Sequence, residues 1–116
     1  MTYEINNRDF VVVTTPTVVG YMINEVLGVV SGLSPRTRGV GGVLQGALQS
    51  IRGGEVSAFT SEIEKARVDA ISRAINNARK LGANAIIGLD IETSDLGESY
   101  ITLLSATGTA VKIEKD

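Results

Sequence analysis

The chain has 116 residues, a formal net charge of −2 and neither histidine nor cysteine. Those two absences remove the common general base, the soft-metal ligands, the Ser-His triad, thiol chemistry and any disulfide framework. Residues 1–54 carry four basic and three acidic groups and residues 55–116 carry seven and ten, so neither half has the basic excess that nucleic-acid binding usually needs and no nucleic-acid partner is expected.

The length fits a single domain over residues 1–116. A chain of this size buries roughly two-thirds of its unfolded surface. Aromatics are 4% with no tryptophan, so the core must be aliphatic and bases would find few stacking platforms. The opening residues are polar, the longest apolar stretch is too short for a bilayer, and cysteine is lacking. The expected setting is therefore cytoplasmic, without signal peptide or membrane partner.

Phe10-Val11-Val12-Val13-Thr14 is a β-branched run ending at Pro16 and reads as a first strand. Val18 to Ser31 reads as one long bent strand or two short ones, with turns or bulges at Gly20 and Gly28. Ser34-Pro35 is a helix-start signal. The three- and four-residue spacing of Val40, Val43, Leu44, Ala47, Leu48 and Ile51 then predicts a short Gly-rich helix over about 36–52.

Ser57 to Leu81 predicts the long helix. Ile63, Ala66, Ala70, Ala74, Ala78 and Leu81 form one stripe, widened by Val68, Ile71 and Ile75. Ser61-x-x-Glu64 has the capping-box pattern, with Ser57 an earlier cap. Arg79 and Lys80 suit the helix C-terminus, and Gly82 the residue just beyond it. Asn84 is placed to cap or bridge the turn that follows.

Ala85 to Thr93 predicts a strand with Ile87, Leu89 and Ile91 on one face and Gly88, Asp90 and Glu92 on the other. Ser94 to Glu98 is a hairpin loop, and Ser99 to Glu114 a returning strand bent at Gly108. Ala106, Gly108 and Ala110 on that strand are placed to meet the alanine seam of the helix. Together these elements predict an α+β fold: an antiparallel sheet packed in two layers against one long helix, plus the shorter Gly-rich helix.

The chemical motifs are weak. Gly39-Val40-Gly41-Gly42-Val43-Leu44-Gln45-Gly46 fails as a dinucleotide fingerprint because Leu44 stands where a third small residue belongs. It fails as a Walker A loop because Ala47-Leu48 replaces Lys-Ser/Thr. Metal binding could use only oxygen ligands, with Asp90, Glu92 and Glu25 as candidates for a divalent hard cation. No other cofactor is expected. The polar row Ser105, Thr107 and Thr109 is either a ligand ladder or an ordinary interface face, and Thr14 and Thr15 join it as ligand or interface candidates. Gly82, Asn84, Gly88 and Gly108 are assigned structural turns. No catalytic residue is assigned.

Six blocks carry a resemblance: Thr14-Thr15-Pro16, Glu25-x-x-Gly28-Val29-Val30-Ser31-Gly32, Gly53-Gly54, Ala66-Arg67, Leu81-Gly82-Ala83-Asn84-Ala85-x-x-Gly88-x-Asp90, and Ser105 to Val111. In order and spacing the chain resembles the YbjQ-like family of small bacterial and archaeal proteins, commonly labelled "putative heavy-metal-binding". The resemblance implies a β-α-β-β unit similar to the dodecin subunit, assembled as a homopentamer, with no established enzymatic activity. The chain departs from the family pattern at Pro35 to Gly42, at Glu55 after the paired glycines, and at Phe59 in place of a common tyrosine. The expected function is a non-catalytic oligomeric binding or scaffold protein whose partner is itself. The alternative is a weak metal binder using carboxylates at subunit interfaces or on the oligomer axis.

Overall fold

The computed structural model describes residues 2–5, 8–37, 56–95 and 101–116. Among them the elements are β1 (Thr2–Ile5), β2 (Arg8–Val12), β3 (Tyr21–Thr37), α1 (Val56–Lys80), β4 (Ala85–Asp95) and β5 (Ile101–Lys115). The strands form one sheet in the order β1-β2-β4-β5-β3. The fold is α+β with a mixed sheet and, among the described residues, one helix.

The sheet is not wholly antiparallel as predicted: β2 pairs with β4 in parallel, at Val11–Ala85 and Val12–Ile86. The reason is the helix. At 1.5 Å rise per residue its 25 residues span about 37 Å and carry the chain back along the sheet. The strand after it therefore starts from the same end as β2 and β3, as in any helical crossover. β5 then returns antiparallel to both β4 and β3. The β1–β2 hairpin was not foreseen, since Thr2 to Ile5 has little β-branched apolar character.

The predicted Gly-rich helix of 36–52 meets one contradiction. Arg36 and Thr37 continue β3, and Ser34 and Pro35, read as a helix start, are also strand residues paired with Leu104 and Leu103. Residues 38–52 lie outside the described residues. Proline is tolerated in β3 because that strand ends the sheet order, where an outward N–H is not needed for the ladder. The capping box at Ser61 is also corrected: Ser61 lies inside α1, which already runs from Val56. No glycine or proline between Gly54 and Gly82 interrupts the helix.

The helix end is as expected. Gly82, at φ 90°, donates to the Arg79 carbonyl and Ala83 donates to that of Ala78. This pair of bonds is a Schellman motif, which needs a residue free to take positive φ. Asn84 then extends the ladder with its side chain. Its Nδ2 donates to the Ile113 carbonyl (2.9 Å), and its Oδ1 accepts from the Ile113 N–H (2.7 Å). The side-chain amide thus imitates a strand peptide. Asn84→Ala leaves both Ile113 groups without these bonds and should destabilise the protein by about 1–3 kcal/mol. Chemical denaturation measures this, and Asn84→Asp should fare no better, because a carboxylate cannot donate to the carbonyl.

The alanine seam docks as predicted. Ala66, Ala70, Ala74 and Ala78 on α1 and Ala106 and Ala110 on β5 are all fully buried in one cluster with Phe10, Ile75, Ile86 and Leu104. Small residues on both surfaces bring helix and sheet close together. The approach is tight at Gly32 of β3, where an added Cβ would stand 2.0 Å from the Ala70 carbonyl oxygen and 2.4 Å from the Ala74 nitrogen. As a result α1 lies mainly over β3 and β5 and touches β4 only lightly.

A second small cluster sits on the opposite face. There Val111, Ile113 and Ala85 pack with Val11, Val18, Ile23 and Ile87. Its presence corrects the predicted face of β4. Ile87 pairs with Thr109 and Ile91 with Ala106, so the two isoleucines lie on opposite faces. An irregularity between Ile87 and Asp90 inserts a residue and inverts the alternation. Gly88, at φ 63°, occupies it and donates to the Thr15 carbonyl, while Leu89 donates to Val13.

Candidate functional site

The bulge at Gly88 decides what the open face presents. Beyond it, Asp90 pairs with Thr107 and Glu92 with Ser105. On the other side of β5, Val29 pairs with Thr109, Ser31 with Thr107 and Leu33 with Ser105. Three rungs therefore cross the face: Val29–Thr109–Ile87, Ser31–Thr107–Asp90 and Leu33–Ser105–Glu92. The Ser31 and Thr107 hydroxyls are hydrogen-bonded at 3.2 Å.

An open groove of about 350 Å³ runs over these rungs, lined by Val29, Asp90, Glu92, Thr107 and Thr109 with the backbone of Gly88 and Gly108. The two carboxylates are exposed and follow each other at alternate positions of one strand, about 7 Å apart along it. The lining contains two carboxylates, two hydroxyls and no cation. Such a surface repels anions and suits a cationic or hydroxyl-bearing ligand.

Glu25 is not part of this groove. It pairs with Lys112, five β5 positions from Thr107, which is about 16 Å along the strand. Lys112 in turn lies beside the Gly82 turn, toward the C-terminal end of the helix. Among the described residues no three carboxylates gather where they could hold an ion. Thr14 and Thr15 are exposed in the segment between β2 and β3 and line a separate cleft beside the helix. The Thr15 hydroxyl donates to the Thr17 carbonyl at 2.6 Å. Gly108 lies within β5, buried under the helix side, where an added Cβ would meet Ile86 Cγ2 at 2.5 Å. The deformation at this level of the sheet is in β4, at Gly88.

Val29 was not singled out in the sequence. Its place in the groove depends on the register of β3, which two irregularities shift, at Ile23/Glu25 and Val26/Gly28. No pattern of residue types announces such shifts. Gly28, beside the second, was the only available signal.

The edge beyond β3 is divided. From Ser31 onward α1 covers it: Asn77 Nδ2 donates to the Ser31 carbonyl (2.8 Å), Arg73 donates to the Leu33 carbonyl, and Arg36 pairs with Asp69 at 2.5 Å. From Tyr21 to Val29 the strand instead presents exposed apolar side chains, with Met22 52%, Val26 65% and Val29 74% accessible.

The described residues thus form a small α+β domain with a mixed sheet in this order and an open groove lined by two carboxylates. Residues 10–114 match the family described as "putative heavy-metal-binding". The chain is 44% identical over 105 residues to a UPF0145 protein of Saccharolobus islandicus, covering 90% of this chain and 91% of the relative. It is 39% identical over 108 residues to a UPF0145 protein of Pyrococcus furiosus, covering 93% and 94%. A crystal structure of a DUF74-family protein of unknown function from Pediococcus pentosaceus superposes with a TM-score of 0.59 at 18% identity, over 90% of this chain and 98% of that one. That likeness concerns the fold alone. The chain belongs to the YbjQ-like (UPF0145) family. The two relatives named above carry no enzymatic name.

Proposed function

We propose that this protein is a non-catalytic, self-assembling binding protein, with a ligand held in the Asp90–Glu92 groove where two copies meet. The observation that carries this reading is the exposed apolar half of β3. Among the described residues no strand flanks β3 on its outer side, and an edge strand with exposed Met22, Val26 and Val29 is a template for another chain. A second copy is the occupant: the same sheet offers a further edge at β1, and head-to-tail pairing of unlike edges closes into a ring when the rotation allows. The family resemblance implies five copies. Val29 joins assembly to ligand, since it stands on the edge strand and also lines the groove. A neighbour seated on β3 would wall that groove on its open side.

The absence of histidine and cysteine supports a binding role over catalysis. Among the described residues no helix is long and apolar enough to cross a membrane. With no cysteine to oxidise, the cytoplasm is the compartment we assign. The test is sedimentation of dilute protein: a discrete multiple of 12.2 kDa is expected, and a monomer rejects the reading.

A second reading is favoured by Asp90 and Glu92 sharing one groove: a weak site for a divalent hard cation. Two carboxylates and neighbouring hydroxyls are few ligands for such an ion, which takes six or more oxygens. Native mass spectrometry after incubation with Mn²⁺ separates the two readings. The scaffold reading expects no stoichiometric adduct; an adduct lost in Asp90→Asn selects the metal reading.

A further inference from the structure

We infer that each protomer has a second binding site, on the helix side of the sheet, for a small apolar molecule carrying one carboxylate. The site arises from the way the helix is seated. Gly32, Ala106 and Ala110 draw α1 over β3 and β5, and β2 ends at Val12 while β4 runs on. Among the described residues, the helix-facing side chains of β4 beyond that point have β5 on one side but only the irregular segment after Val12 on the other, and little helix above. They form a cleft of about 420 Å³, within the roughly 300–1,000 Å³ of small-molecule sites.

The floor and walls are Val12, Ile71, Leu89 and Ile91, all joined to the main core. Arg67 on α1 and Thr14 stand at the rim, the only cation and a free hydroxyl among the lining groups. Apolar walls with a few convergent polar groups at one end are the pattern of a site for an amphiphile. Arg67 Nη1 donates to Glu64 at 3.1 Å, and both side chains are about half exposed. An exposed pair of this kind is weak, and a guanidinium retains further N–H groups for a bidentate carboxylate. An uncharged amphiphile would gain from the walls alone.

This site uses one chain only and lies on the opposite face from the Asp90 groove. Its failure would leave the assembly untouched, and a monomeric protein could still show it. The experiment is a titration with octanoate and with octan-1-ol, followed by methyl NMR of Ile71, Leu89 and Ile91. Octanoate should shift these three methyl groups saturably and bind at least tenfold more tightly than octanol. Arg67→Gln should remove that tenfold preference without changing octanol binding, and Glu64→Gln should strengthen octanoate binding. Arg67 is exposed, so both variants should keep the native spectrum. Ile91→Phe, which fills the cleft, should weaken both ligands. Absence of shifts at these methyls with millimolar octanoate, or equal octanoate binding by wild type and Arg67→Gln, overturns the inference.

Discussion

Gly32→Ala lowers stability by about 3 kcal/mol or more, the upper end of what overpacking produces. The added methyl would lie 2.0 Å from the Ala70 oxygen and 2.4 Å from the Ala74 nitrogen. Both are backbone atoms in the middle of α1, so no rotamer change relieves the overlap. The helix must move off β3, which opens the seam that Ala70, Ala74 and Ala106 close. With a urea slope of about 1.5 kcal/mol per molar, the midpoint falls by about 2 M. The control is Gly20→Ala. Gly20 has φ 84° and nothing within 4 Å of an added Cβ, so only left-handed backbone strain is added, about 1–2 kcal/mol. Equal losses in the two variants would show that close helix–sheet contact is not what Gly32 provides. Both must be compared at one protein concentration, because assembly contributes to apparent stability.

Val26→Lys should convert the assembly to single 12.2 kDa chains while leaving the fold intact. Val26 is 65% accessible, so lysine is solvated in the isolated protomer and the monomer loses little. In an assembly joined through β3 the same charge would be desolvated against the neighbouring copy. Charged residues on an edge strand are a common means of preventing strand addition. Each interface would carry one buried, unpaired lysine, and in a ring the penalty recurs at every contact. Light scattering on a sizing column reads the result, with circular dichroism verifying the helix and sheet. Val68→Lys is the matched control: Val68 is also exposed, but on α1, and that variant should assemble normally. If Val26→Lys assembles as wild type, β3 is not the joining surface.

The parts of the fold that could be read in advance are those with local causes. The long helix, its Schellman end at Gly82 and the alanine seam are written in periodicity and in one glycine. Asp90 and Glu92 were placed on a common face because no irregularity lies between them. Ile87 was misassigned because one does lie between it and Ile91. A bulge inverts alternation without altering composition. Ser34-Pro35 failed for a related reason: a local helix-start signal was overridden by the strand pairing with Leu104 and Leu103. The cleft at Arg67 could not be foreseen, because it depends on where the helix does not reach.

By itself the sequence determined the class of the fold, the chemistries denied to a chain without histidine and cysteine, and the family. These depend on residue type, local period and motif spacing, which tertiary contacts do not alter. Only the tertiary structure decided that β2 runs parallel to β4, that Glu25 stands apart from Asp90 and Glu92, and that, among the described residues, Arg73 and Asn77 bond the edge of β3 at Leu33 and Ser31 while Met22, Val26 and Val29 stay exposed. Those outcomes turn on strand order, register and the seat of one helix. Each is fixed by contacts between residues far apart in the chain, where a single inserted residue redirects every side chain beyond it.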